Sequence, residues 1–289
     1  MTRGTDGAFR TLLDGAHRTN DSLLCVGLDP ELSRLPAPLR NEADVTRAIV
    51  AFNAGIIEAT SDLVYAYKPN LAFYMAHGVP GLKALEETRR LIPRHIPALL
   101  DAKVGDLANT SIAYAAGYFD AWDFDAVTVN PYMGEDSLAP YLSRGDRGIF
   151  ALCKTSNPGS GDLQDIDVVG PTGNQSLYLT VADRVAEWST RWPATLGLVV
   201  GSTWPAQLGE IRERCPDQPI LLPGIGAQGG DITGSLEVGL DSTGSGLLLS
   251  ASRSVIFAGE HAGDGWVDAV RQAAAHLRDQ INAARPVTA

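Results

Sequence analysis

The feature that most constrains this chain is a rhythm. Short apolar runs recur at 23–28, 63–67, 96–100, 126–129, 148–152, 196–200, 220–222 and 246–249, and each ends in Gly, Pro or polar residues. Helical patterns fill the intervals at about 41–60, 80–92, 110–122, 135–143, 175–191, 205–214 and 231–239, and one at 265–283 closes the chain. The runs show no apolar/polar alternation, as expected of strands buried on both faces. A further amphipathic segment at 8–19, with Phe9, Leu12, Leu13 and Ala16 on one face, precedes the first run. Eight βα units in 289 residues predict the α/β class, as a single (β/α)8 TIM-barrel domain over 1–289 with a short N-terminal helical extension. An open doubly wound sheet is the alternative. Against it, no Gly-x-Gly-x-x-Gly follows the first run, where a dinucleotide-binding fold would carry it. One stretch breaks the rhythm. Residues 157–173, leaving the fifth run, are polar, Gly-rich and without periodicity, and are expected to form a lid loop.

A barrel turns the C-terminal ends of all its strands toward one mouth. Standing there are Asp29, Lys68, Asp101, Lys103, Asp106, Asn130, Ser156, Gln228 and Arg253. The densest group is Asp101-Ala102-Lys103-Val104-Gly105-Asp106-Leu107, where the third run passes into a helical pattern. In a strand Asp101 and Lys103 point to the same side, because side chains alternate. Taken alone, the group reads as a solvated charge cluster with Asp106 capping the next helix. Lysine is scarce, however: Lys68, Lys83, Lys103 and Lys154 are all there are, and only Lys83 lies away from a strand end. Surface ion pairing does not require that placement.

The loops after the seventh and eighth runs read Gly224-Ile225-Gly226-Ala227-Gln228-Gly229-Gly230 and Ser250-Ala251-Ser252-Arg253. Barrels often hold phosphate between these two loops. Glycines let backbone N–H groups approach an anion, and an arginine binds it with a fork of donors. The formal net charge of −11 argues against a nucleic-acid-binding face, so an anionic substrate needs a local basic pocket. Cys25, Cys153 and Cys215 are scattered, in no metal spacing, and read as buried thiols of a reducing cytoplasm. Neither a signal-peptide core nor an apolar run of membrane length is present, so a soluble cytoplasmic protein with no membrane partner is expected. His17, His77, His95, His261 and His276 lie away from the strand ends, and no transition-metal spacing is seen. Oxygen ligands leave no sharp signature, so a Mg²⁺ site from Asp29 and Asp101 stays open at this point.

These residues resemble the orotidine 5′-phosphate decarboxylase family, whose signature Asp-x-Lys-x-x-Asp-(Ile/Leu) fits 101–107. The resemblance covers nearly the whole barrel. It includes Gly27-Leu28-Asp29-Pro30, Lys68-Pro69-Asn70, Gly226-Ala227-Gln228-Gly229-Gly230-Asp231 and Ser252-Arg253. Val129-Asn130-Pro131-Tyr132-Met133-Gly134 and Lys154-Thr155-Ser156-Asn157-Pro158-Gly159 are similar to its second, actinobacterial-type subgroup. Val104 and Leu107 stand where that subgroup usually has a basic residue and Ile.

The resemblance implies decarboxylation of orotidylate to UMP in de novo pyrimidine biosynthesis, with no metal and no cofactor. It implies Lys103 as stabiliser of charge at C6 and as proton donor, held charged by Asp101 and Asp106, with Lys68 completing the row. It implies Asp29 on the ribose, Ser156 on the pyrimidine, and Gln228, Ser252 and Arg253 on the phosphate. It also implies a homodimer in which Asp106 and Thr110 reach the partner's site. The sequence assigns no role to Asn130, Lys154 or Asn157. Rival readings are a Mg²⁺-dependent sugar-phosphate lyase, a Schiff-base aldolase on Lys103 or Lys154, and a nucleotide-phosphate binder without catalysis. The aldolase would need a neutral lysine, which flanking carboxylates oppose.

Overall fold

The computed structural model describes residues 7–170, 173–225 and 230–286. Ten strands are present among them: β1 (Leu24–Gly27), β2 (Ala66–Lys68), β3 (Leu99–Val104), β4 (Ala126–Val129), β5 (Gly148–Lys154), β6 (Asp167–Gly170), β7 (Gly173–Ser176), β8 (Thr195–Val200), β9 (Ile220–Pro223) and β10 (Leu247–Ala251). Eight of them form one parallel sheet in the order β2-β1-β10-β9-β8-β5-β4-β3. Single parallel bridges from Tyr67 to Ala98 and from Asn70 to Asp101 bring the two edges together. The result is the (β/α)8 barrel that the rhythm predicts: each of the eight expected runs supplies one strand, though β2 and β3 begin three residues later than expected, at Ala66 and Leu99.

The physical reason is visible in the burial. All residues of β1, β4 and β10 are buried, so no polar face is needed. Phe52, Phe124, Phe150 and Tyr65 are fully buried. Each buried side chain of this size contributes roughly 1.5–3 kcal/mol, against 0–1 for an exposed ion pair, so packing holds the wall. The helix Ala8–Asn20 sets Phe9 edge-on to Phe150, 6.0 Å between ring centroids. A side chain on Gly148 would strike the Phe9 ring, so this extension packs tightly against the start of β5. The helix Val45–Thr60 starts at Asp44, whose carboxylate accepts from the Arg47 amide and caps it. No helix among the described residues is long and apolar enough to cross a membrane.

The stretch 157–173 departs from expectation. Its described residues are not irregular: a 3-10 turn Pro158–Ser160 leads to a short helix Gly161–Gln164, and then to the antiparallel strands β6 and β7. Its side chains are mostly exposed, and polar residues with glycines at the turn leave no apolar period to read. The helix after the Asp-x-Lys motif also differs. It opens at Ala108, and after Ala115 it widens into a π-helical turn, Ala116–Ala121.

Candidate active site

Strand β3 carries the charge cluster, but not by regular alternation. Leu100 pairs with Val127 and Val104 with Val129, so β3 takes four steps where β4 takes two. The surplus is a bulge, a common device for re-aiming a side chain beside a site. Within it Lys103 adopts φ +49°, a left-handed conformation that a lysine rarely takes and that the surroundings must hold. They do so by hydrogen bonding: the Lys103 amide donates to Thr128 Oγ1 at 2.9 Å. Its Nζ returns to Asp101 Oδ1 at 2.5 Å.

Asp101 is the hub. Its Oδ1 accepts from Lys103 Nζ and from Thr128 Oγ1, the latter at 3.0 Å. Its Oδ2 accepts from Lys68 Nζ at 3.3 Å and from Asn70 Nδ2 at 3.1 Å. Burial opposes ionisation of this carboxyl, but the charges of Lys68 and Lys103 and the donors around it outweigh that and hold its pKa well below the carboxylate range. Burial likewise disfavours the Lys68 ammonium, yet Asp101 and Asp29 nearby keep its pKa above the ordinary lysine value. The two lysines differ in access. Lys68 is 6% exposed at its side chain and Lys103 45%, so Lys103 is the more accessible of the two.

Beside this row lies a cavity lined by Asp29, Lys68, Asn70, Phe73, Pro223, Gly224, Ile225, Ser250, Ser252 and Arg253. Asp29 is fixed at both oxygens: Oδ1 accepts from the Asn70 amide at 3.0 Å and Oδ2 from Ser252 Oγ at 2.6 Å. Gly224 has φ +109°, which suits glycine alone. A side chain on Gly230 would collide with Ser202 Oγ, so the loop after β9 must close tightly there. Arg253 is exposed at the rim, with donors free to face an anion. Gln228 lies outside the described residues.

The structure therefore brings Asp29, Lys68, Ser252 and Arg253 to one cavity, with Asp101 and Lys103 joined to it through Lys68. Ser156, Asp106 and Thr110 do not line it. Ser156 follows β5 and packs against Gly201 at the end of β8, where a side chain on the glycine would meet it. Asp106 does not cap the helix side-on as the bland reading had it. Its Oδ1 accepts from the neighbouring Leu107 amide at 2.7 Å, and Thr110 is exposed. Leu107, Ile112 and Tyr114, neighbours of Asp106 and Thr110 along the same turn and helix, are exposed.

Sequence reasoning missed two partners of Asp101. Asn70 stood in the quoted Lys68-Pro69-Asn70 segment without a role. Thr128 was detectable as the lone polar residue of a fully buried strand, since such a hydroxyl must find a partner. Among the described residues no group of three or more His, Cys, Asp or Glu is arranged to hold a metal ion.

Comparison with known proteins agrees with this geometry. The model of the "Orotidine 5′-phosphate decarboxylase / HUMPS family" matches residues 22–265. The chain is 49% identical over 278 residues to an orotidine 5′-phosphate decarboxylase of Thermomicrobium roseum, covering 96% of each chain. Its fold superposes on the Leishmania donovani OMP decarboxylase with a TM-score of 0.81 and 39% identity, covering 96% of this chain and 98% of that one. The UMP synthase of the same organism gives a TM-score of 0.82 at 41% identity, but this chain covers only 56% of it.

Proposed function

The chain belongs to the orotidine 5′-phosphate decarboxylase family and converts orotidylate to UMP and CO₂, and from that premise we propose that Lys103 is its catalytic residue. It is a carboxy-lyase of pyrimidine biosynthesis, and members of its family run this reaction without a cofactor. The observation that carries the assignment is the row Lys68–Asp101–Lys103, in which the more accessible lysine is held 2.5 Å from a carboxylate of strongly depressed pKa.

The reaction breaks the bond between C6 and the carboxylate carbon. CO₂ leaves, the electron pair stays on C6, and a proton must replace the lost group. In the proposed arrangement Lys103 lies against C6, offsets the developing negative charge and then gives its proton to it. Asp101 fixes Lys103 and faces the substrate carboxylate, and Lys68 keeps Asp101 ionised while reaching toward the ribose. Asp29 accepts from ribose hydroxyls. Ser156 reads the pyrimidine, and Gln228, Ser252 and Arg253 hold the phosphate. The stretch 157–173 serves as the lid, so that phosphate and base contacts help drive closure.

The same reading makes the protein a cytoplasmic homodimer of the second family subgroup, with Asp106 and Thr110 completing the partner's site. The apolar side chains exposed around those two residues support this, since a patch of that kind marks an interface. The segments 129–134 and 154–159 support the subgroup.

The test is the ultraviolet absorbance of orotidylate mixed with the protein, with and without EDTA. Wild type should turn over equally in both, and Lys103→Ala should lose roughly 10³-fold or more in kcat. Turnover retained by Lys103→Ala would end the assignment of that residue.

A further inference from the structure

The most deeply buried charge among the described residues is one that the proposed reaction does not use. Lys154, the last residue of β5, has a side chain 0% exposed, and its Nζ is bonded to residues of the segment that follows the strand. It donates to Asp165 Oδ1 at 2.5 Å and to Ser160 Oγ at 3.3 Å. The Trp204 ring lies beneath it, 4.6 Å from Nζ to the centroid, with the Tyr178 ring at 5.8 Å. An ammonium withdrawn from water is costly unless it is paired and bonded, and here it is both.

What the pair encloses gives it meaning. The chain leaves Lys154, runs out through Ser156, and returns to Asp165. A second rung closes the same loop one step further in: the Thr155 amide donates to Gln164 Oε1 at 2.9 Å, and Gln164 Nε2 donates to Thr155 Oγ1 at 2.8 Å. A third contact ties the loop to the next βα unit, since Trp204 Nε1 donates to the Thr155 carbonyl at 2.9 Å. Ser156 thus sits in a neck fixed from three directions, its backbone pressed against Gly201. The flanking ion pair is asymmetric, because Asp165 is 48% exposed while Lys154 is sealed. The neck can therefore be loosened from outside without opening the core.

We infer that Lys154 and Asp165 are positioning residues, a latch that sets the Ser156 loop at the base-binding end of the site while the hairpin beyond it stays free to close. The inference rests on the assignment of Ser156 to the pyrimidine. The latch acts on ligands that carry a base and is indifferent to those that carry only ribose and phosphate.

The experiment compares full-length wild type, Asp165→Asn, Asp165→Glu, Lys154→Met and Ser156→Ala. Binding of UMP and of ribose 5-phosphate is measured for each, with kcat/KM for orotidylate. Asp165→Asn should weaken UMP roughly tenfold and lower kcat/KM by as much or more, because small misplacements of a positioning loop are expensive. Ribose 5-phosphate affinity should stay within about twofold, and Asp165→Glu should restore UMP binding. A mere loss of stability would weaken both ligands alike, and that result overturns the latch. So does unchanged UMP affinity in Asp165→Asn when Ser156→Ala weakens it. If Ser156→Ala itself leaves UMP binding untouched, the Ser156 assignment fails and the latch with it. Should Lys154→Met not fold, the Asp165 pair of variants decides alone.

Discussion

Lys68 Nζ lies 3.3 Å from Asp101 Oδ2, and both side chains are more than nine-tenths withdrawn from solvent. The pair stands on two strands that meet only through single bridges, at the seam where the barrel closes. It is therefore a structural joint as well as part of the candidate site.

Removing the acidic half should show this. Asp101→Ala leaves Lys68 buried with its nearest counter-charge gone, and it takes the acceptor from Asn70 Nδ2 and from the Thr128 hydroxyl hydrogen. Breaking a buried pair in this way costs about 3–5 kcal/mol. Urea unfolding should report a loss of that size, and a loss below about 1 kcal/mol would show that the seam does not depend on the pair.

The pH dependence of stability follows from the same two groups. Asp101 has a folded pKa depressed below its ordinary 3.8, so its contribution is complete above that value and is lost as pH falls toward the folded one. Lys68 has a folded pKa raised above 10.5, so its contribution is complete below 10.5 and is lost only as pH rises beyond it. The difference in unfolding free energy between wild type and the double variant Lys68→Met/Asp101→Asn, which lacks both titrating groups, should therefore be flat from about pH 5 to pH 9. A step in that difference near neutrality would contradict the assigned shifts.

The shared site can be tested by complementation. Lys103→Ala and Asp106→Ala chains should each be inactive alone. Mixed, unfolded together and refolded, they should recover about a quarter of wild-type activity, because half the dimers are hybrids with one intact site of two. Recovery of none, with hybrids present by native mass spectrometry, would place Asp106 in its own chain's site. A companion variant, Ile112→Glu, should sediment as a monomer and lose activity.

The barrel was legible because its strands carry no alternation, and burial on both faces leaves a run that only a parallel sheet explains. The acidic and basic residues at the strand ends were legible for the same reason, since topology alone sends them to one mouth. What stayed hidden was local. Lys103 and Asp101 meet, but through a bulge and a left-handed lysine, and nothing in Asp-x-Lys announces either. Asp106 as a helix cap was a reasonable reading of residue type, yet the helix begins at Ala108 and the carboxylate turns to the adjacent amide. The hairpin after β5 has neither apolar period nor a tight two-residue turn sequence, so it read as a loop. Lys154 could be seen at a strand end, but its partner lies across that unread segment.

Strands β5 and β8 are neighbours in the wall and pair from Gly148 with Thr195 through Lys154 with Val200. The short helix and the hairpin between them are thus spliced into a connection whose two ends are already held side by side. Such an insertion is a module: it can lengthen, shorten or change sequence beyond Asp165 without altering the register of any barrel strand. Whatever sets one relative's preferences apart from another's can be written there, at no cost to the frame that carries the chemistry.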